Sequence, residues 1–185
     1  EIQVPEGVEL SALTKVGTIF SDIGRIAKEE HAQLIIMGTH GKRGMQSFTG
    51  SHALKVIVSA DCPFLVVQKN TVVEEIDTIA VPIDLTKESL QIINVAGDMA
   101  HMLDAKVHVL AEKQSDEILN QRLQNRLSIV KGQYEDRSNS AEVYLLQKRN
   151  FYTRIIDHVD SKNCGMIAIS YHTEALFPQF DNFAS

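Results

Sequence analysis

The feature that most constrains the fold of this chain is the alternation of short apolar runs with segments of helical periodicity. Leu34 to Met37 is an all-apolar run of strand length, typical of a parallel strand covered on both faces, and Phe64 to Val67 is a second apolar run that predicts the next strand. Between residues 19 and 31, apolar side chains recur three and four positions apart and predict a helix with one buried face. Repeated alternation of this kind predicts an α/β fold with a parallel sheet and right-handed crossovers.

The rest of the chain continues the pattern. In residues 8–16, apolar and polar residues largely alternate, which predicts a half-buried strand. Residues 51–60 predict a helix that ends before Pro63. Residues 69–77 are expected to be a connector. Leu119, Leu123, Leu127 and Val130 predict the buried stripe of a long helix. Further strands are predicted at 78–83, 106–111, 141–146 and 166–169, and further helices at 90–103 and 151–159.

An internal repeat predicts a duplicated fold. The segment from Phe20 to Met37 matches in type the segment from Phe151 to Ile169, with Leu34 and Met166 offset by 166 − 34 = 132 residues, about one domain. We therefore expect residues 1–70 to be the C-terminal part of one domain. Residues 71–185 are expected to form a second domain that lacks its last helix and strand. The missing initial methionine suggests a cut or incompletely given chain.

Composition excludes several classes of partner. Among 185 residues, 18 Lys and Arg against 24 Asp and Glu give a formal charge of −6, and basic residues form no long run, so nucleic acids are not expected partners. The apolar runs are far shorter than the ~20 residues of a membrane span. Cys62 and Cys164 form no CxxC pair, which indicates a reducing cytoplasm. The seven histidines show no HxxxH or HExxH spacing, so zinc binding is not expected.

One loop carries the most informative polar pattern. Gly38 and Gly41 follow a predicted buried strand, where the absence of a side chain lets a ligand approach the backbone. Gly50 and Ser51 precede a predicted helix, whose free N–H groups and positive dipole end attract phosphate. The basic residues at 42–43 add local positive charge. The same residues can equally be a turn and a helix cap with no ligand, and neither a Walker loop nor GxGxxG is present.

These residues closely resemble the universal stress protein family. The resemblance rests on Gly38-Thr39-His40-Gly41, on Gly50-Ser51 and on residues 53–67. Nucleotide-binding members of the family carry Gly, two residues, Gly, nine residues and then Gly-Ser/Thr. Here the second gap, at 42–49, holds eight residues. The run Val81 to Asp84 also resembles the family's first strand and the acidic residue at its end.

The resemblance implies a Rossmann-like α/β fold with helices on both faces of a parallel sheet, strand order 3-2-1-4-5, present in tandem. It implies a ligand at the point where the strand order reverses. The implied ligand is ATP or a related adenine nucleotide, with Mg²⁺ accompanying it, bound by Met37, Gly38, His40, Gly41, Gly50, Ser51 and His52. In the second copy, residues 170–178 offer no glycine pair and Glu174 would repel phosphate, so we expect no nucleotide there.

Two functions from different classes stay open. The first is a cytoplasmic, nucleotide-responsive binding or regulatory module of the stress response. The second is a dimeric interaction scaffold of the same family without nucleotide, in which the edge strand at 64–67 pairs with a second copy. A slow ATPase would need a water-activating base or metal ligands. We can name no dedicated set, so no catalytic residue and no metal ligand is assigned.

Overall fold

The computed structural model describes residues 4–39, 56–68 and 76–170. The chain divides into two compact units: unit 1 consists of Glu1–Asn70 together with Gln179–Ser185, and unit 2 of Thr71–Pro178. The predicted connector at 69–77 lies mostly outside the described residues, as does the first half of the predicted helix at 51–60.

Unit 1 contains one helix and two parallel strands in its described residues. They are α1 (Ile19–Glu29), β1 (Ile35–Thr39) and β2 (Phe64–Gln68). In the register of the pair, Ile35 lies opposite Phe64 and Thr39 opposite Gln68. The predicted helix at 19–31 and both predicted strands are confirmed. Gly24 lets α1 approach the chain closely, because a Cβ there would lie 2.0 Å from the backbone oxygen of Ser59.

Two expectations for unit 1 are wrong. Residues 8–16 form no strand, and every residue from 4 to 18 is exposed, including Leu10 at 64% and Leu13 at 58%. Among the described residues no strand pairs with this segment, so its alternating side chains have no sheet in which to be buried. The run at 34–37 is not covered on both faces, because Ile36 is 67% exposed.

Unit 2, residues 71–178, holds a four-stranded parallel sheet with the order β5-β4-β3-β6. A short 3-10 turn at Glu88–Leu90 precedes its first helix. The elements in chain order are β3 (Thr78–Ile83), α2 (Gln91–Leu103), β4 (Lys106–Glu112), α3 (Glu117–Glu135), β5 (Ala141–Leu146), α4 (Phe151–Ser161) and β6 (Met166–Ile167). Within this unit the order reads 3-2-1-4, the first four positions of the expected order. The full five-strand order and the duplication stay predictions.

Helices cover both faces of the unit 2 sheet, which confirms the α/β class. One face packs Val107, Val109 and Ala111 of β4 against α2 and α3. The other packs Ala80 and Leu110 against α4. All six residues of β3 are buried, because this strand has neighbouring strands on both sides and helices on both faces.

Two details of unit 2 differ from expectation. Leu119 is 38% exposed, so the buried stripe of α3 begins one turn later, at Leu123. Leu119 lies in the first turn, where its backbone N–H is bonded to the cap residue Asp116. Strand β6 ends at Ile167 rather than at residue 169, although Ala168 still donates its N–H to Ala80. Among the helices in the described part of the chain, none is long and apolar enough to cross a membrane.

Candidate functional site

The carboxyl end of β1 is the part of the predicted nucleotide site that the structure describes. Met37 pairs with Val66 and is half-buried, whereas Gly38 pairs with Val67 and is exposed. Among the described residues, no heavy atom lies within 4 Å of a Cβ added at Gly38. Gly38 does not have a positive φ either. Neither backbone strain nor close packing therefore requires a glycine here, and its effect is to keep the surface at the end of β1 open.

The other predicted ligand residues, which are His40, Gly41, Gly50, Ser51 and His52, lie outside the described residues. The described part of their helix is its C-terminal end. There Val56 is fully buried, and its carbonyl oxygen accepts hydrogen bonds from the N–H and the hydroxyl of Ser59 at 3.1 and 2.7 Å. The structure thus places Met37 and Gly38, and the convergence of the loop and the helix start on them stays a prediction.

In unit 2, Asp84 directly follows β3 and is the residue that the sequence resemblance compares with the family's acidic residue. One oxygen of its carboxylate accepts hydrogen bonds from the N–H of Thr86 at 2.8 Å and from its hydroxyl at 2.5 Å. Arg126 of α3 donates to the backbone oxygens of Asp84 and Thr86 at 2.9 and 2.5 Å. This carboxylate therefore orders its own turn. Most of the segment on which we predict that unit 2 binds no nucleotide, residues 171–178, lies outside the described residues.

A second group of polar side chains lies on the α4 face of the unit 2 sheet. Nδ1 of His108 is 3.1 Å from Nε2 of His158 and 3.8 Å from Sγ of Cys164. The two histidines are buried and the cysteine is half-buried. Burial lowers the pKa of both imidazoles and raises the pKa of the thiol. Spacing along the sequence could not reveal this group, because His108 is separated from the other two by 50 and 56 residues.

Comparison with known proteins relates the first part of the chain to one family. Residues 1–68 match the sequence model of the universal stress protein family. Universal stress protein MJ0531 of Methanocaldococcus jannaschii is 41% identical over 64 residues, which are 34% of this chain and 38% of that protein. The match therefore spans well under half of that relative.

Among solved structures, a universal stress protein from Archaeoglobus fulgidus superposes with a TM-score of 0.61 at 16% identity, over 78% of this chain and 53% of that one. This similarity supports the fold. A universal stress protein in complex with cAMP superposes with a TM-score of 0.43 at 14% identity, over 50% of this chain and 75% of that one, which is too weak to bear on this chain. By sequence, residues 1–68 of the chain match the universal stress protein family.

Proposed function

We propose that this chain is a cytoplasmic, nucleotide-responsive binding and regulatory module of the stress response, and that unit 1 binds ATP or a related adenine nucleotide. The observation that supports this most directly is the open surface at Gly38, at the carboxyl end of a parallel strand. Ligands of open α/β sheets bind at such strand ends. The proposed contact residues are Met37, Gly38, His40, Gly41, Gly50, Ser51 and His52.

The available groups suit a polyphosphate. An exposed glycine lets phosphate oxygens approach the backbone without meeting a side chain. The helix start at Ser51 would supply free N–H groups and the positive end of a dipole. Mg²⁺ accompanying the nucleotide would neutralise part of its charge. The residues of this chain would hold and orient the nucleotide, and no dedicated base is assigned, so the proposed response is binding rather than turnover.

We also propose that the two units are copies of one domain, with residues 1–70 the C-terminal part of the first and 71–185 the second without its last helix and strand. The parallel pairing of β1 with β2 corresponds to strands four and five of the family order. The pairing of β3 with β6 corresponds to strands one and four. On this proposal, the described strands of each unit correspond to different strands of the same five-stranded sheet.

The alternative function is a dimeric scaffold that binds no nucleotide. The observation favouring it is that Ile36 of β1 is 67% exposed and Val66 of β2 is 45% exposed. Register places these two side chains on opposite faces of the strand pair. Exposed apolar side chains on a sheet are commonly covered by a partner, and a second copy of this chain would provide one.

The test is retention and binding of nucleotide by the full chain. Mass spectrometry of the supernatant from heat-denatured protein should reveal an adenine nucleotide, and calorimetry should detect binding of ATP in the presence of Mg²⁺. An empty protein that gives no heat with millimolar ATP would contradict the proposal. A dimer in sedimentation experiments with that empty protein would support the scaffold instead.

A variant pair locates the site. Gly38→Val should leave the fold intact, because the space is open and valine favours strands, yet it should weaken ATP binding by about tenfold or more, equivalent to ~1.4 kcal/mol. Gly132→Ala is the matched control, because a Cβ at Gly132 also meets nothing within 4 Å. Gly50→Asp should abolish binding through steric and charge conflict while the circular dichroism spectrum is retained. Unchanged affinity in both Gly38→Val and Gly50→Asp would place the site elsewhere.

A further inference from the structure

Strand alternation directs one polar residue of β4 away from the main core. Val107 and Val109 pack in the cluster with α2 and α3, so His108 between them projects to the opposite face, where α4 lies. His158 of α4 meets it there. Cys164 follows α4, and its backbone N–H donates to the carbonyl of Val159 at 2.9 Å. Three elements of the fold thus bring three metal-ligating side chains to one place.

The surroundings hold these side chains in position. The ring of Tyr144, on β5, lies with its centroid 4.9 Å from that of His108 and 4.5 Å from that of His158. The hydroxyl of Tyr144 donates to the carboxylate of Glu142 at 2.6 Å. The ring of Tyr144 limits the rotation of both imidazoles, and the hydrogen bond to Glu142 holds Tyr144 in its orientation.

Hydrogen bonding accounts for the pairing of the two rings but gives the sulfur only a longer contact with Nδ1 of His108. If both rings are neutral, one donates its N–H to the other, and that single hydrogen satisfies both facing nitrogens. The sulfur of Cys164 would then lie beside a nitrogen already in use, at 3.8 Å. The three potential ligand atoms nonetheless all lie within 4.8 Å of one another. Convergence of three such atoms on one point is what a metal ion requires.

Two of the three separations are close to those of a tetrahedral zinc site. With Zn–N near 2.1 Å and Zn–S near 2.3 Å, tetrahedral angles give N···N of about 3.4 Å and N···S of about 3.6 Å. The corresponding distances from Nδ1 of His108 are 3.1 Å and 3.8 Å. We propose that His108, His158 and Cys164 form a binding site for a zinc-class divalent transition metal.

The chemistry of binding balances without a co-reactant. The thiol of Cys164 releases one proton to solvent and the thiolate sulfur donates an electron pair to the metal. His108 binds through Nδ1 and carries its hydrogen on Nε2, while His158 binds through Nε2 and carries its hydrogen on Nδ1. Each imidazole stays neutral. Two imidazoles and one thiolate favour zinc or cobalt over magnesium, and a fourth position stays available to water or another ligand.

Charged groups around the cluster come from three elements. Glu142 of β5 lies opposite His108 in the strand register and contributes a negative charge. Lys106 of β4 and Lys162, just after α4, contribute positive charge, and the ammonium of Lys162 lies 5.9 Å from the centroid of the Tyr144 ring. The carboxylate offsets part of the positive charge that a divalent ion would bring to the site.

Cobalt titration of the full chain tests the proposal. After treatment with a chelator, the protein should bind one equivalent of Co²⁺ with intense visible ligand-field bands and a near-ultraviolet sulfur-to-cobalt charge-transfer band. Zn²⁺ should displace the cobalt and remove both signals. Absence of the charge-transfer band in the wild-type protein overturns the proposal. The nucleotide proposal is unaffected by either outcome, since its readouts concern unit 1 and ATP.

Matched variants assign the ligands. Cys164→Ser should abolish the charge-transfer band, whereas Cys62→Ser should retain it. His158→Ala should weaken cobalt binding by about 100-fold, whereas exposed His101→Ala should leave it unchanged. A band that persists in Cys164→Ser, or that both cysteine variants lose, contradicts the assignment.

If Cys164→Ser fails to fold, alkylation of the wild-type protein still tests whether Cys164 binds the metal. Zn²⁺ should slow alkylation of Cys164 by iodoacetamide about tenfold or more, while Cys62 in the same sample reacts at an unchanged rate. Equal alkylation rates of Cys164 with and without Zn²⁺ would overturn the proposal.

Discussion

The two units differ in where burial and sequence motifs lie. In unit 2, all six residues of β3 are buried and helices cover both faces of the sheet. In unit 1, β1 carries the exposed Ile36 and Gly38, and residues 4–18 are exposed throughout. The nucleotide motif belongs to unit 1, whereas the larger described core belongs to unit 2. Burial therefore marks where stability resides, and it does not mark where a surface ligand would bind.

The largest expected effect contrasts two isoleucines. Ile79→Ala in β3 removes a fully buried side chain and should lower the free energy of unfolding of unit 2 by about 2–5 kcal/mol. Ile36→Ala in β1 removes a side chain that is 67% exposed and should change stability by only about 0.5 kcal/mol. Urea titration followed by circular dichroism measures both. Similar losses for the two variants would show that Ile36 is covered in solution, as the dimeric scaffold requires.

An intermediate effect contrasts two helical glycines. Gly24→Ala places a Cβ 2.0 Å from the Ser59 carbonyl oxygen, so α1 must shift, and we expect a loss of about 1–3 kcal/mol in unit 1. Gly132→Ala meets open space within α3 and should raise stability by about 0.5–1 kcal/mol, because alanine favours helix. Opposite shifts of the thermal unfolding midpoint check the pair. A neutral Gly24→Ala variant would mean that α1 does not pack on Ser59 in solution.

The smallest effect concerns the surface of α1. Arg25 donates to Asp22 and Glu29 at 3.0 and 2.7 Å, and these hydrogen bonds lower the pKa of both carboxyl groups. Because the pKa of each carboxyl group is lower in the folded state, the ionised carboxylate contributes to the stability of the fold. This contribution is present above the unfolded pKa of about 4 and is lost as pH falls through the folded pKa. Arg25→Ala should raise both pKa values toward normal in an NMR titration, with little change in stability at neutral pH. An unchanged pKa at Asp22 would contradict the pairing; Arg154→Ala is the control.

Sequence reasoning predicted the elements best where burial was complete or periodic. The bounds of β3 and β5 match the predicted 78–83 and 141–146. Strands that pack in a sheet require a run or an alternation of apolar residues, and this pattern can be found in the sequence. It failed at 8–16, where alternation had no neighbouring strand to pair with among the described residues. Periodicity says nothing about hydrogen-bond partners.

The two candidate sites also differ in how far the sequence predicts them. The glycine pattern identified the family because its residues are close in sequence. The cluster of His108, His158 and Cys164 was missed because its members meet only through the sheet topology. A signal was nonetheless present: His108 interrupts an otherwise apolar strand, and His158 lies one turn from Ile155 on the buried side of α4. A polar residue in a buried strand needs a partner, and that need could have prompted a search for one.

The complete burial of β3 has an evolutionary consequence. With no side chain of Thr78–Ile83 facing solvent, nearly every substitution there changes packed volume or buries a polar group. β5, in which only Ala141 is buried, offers several positions where substitutions cost little stability. Homologous sequences should therefore diverge freely along the outer strand, and the central one should drift slowly even where it takes part in no chemistry.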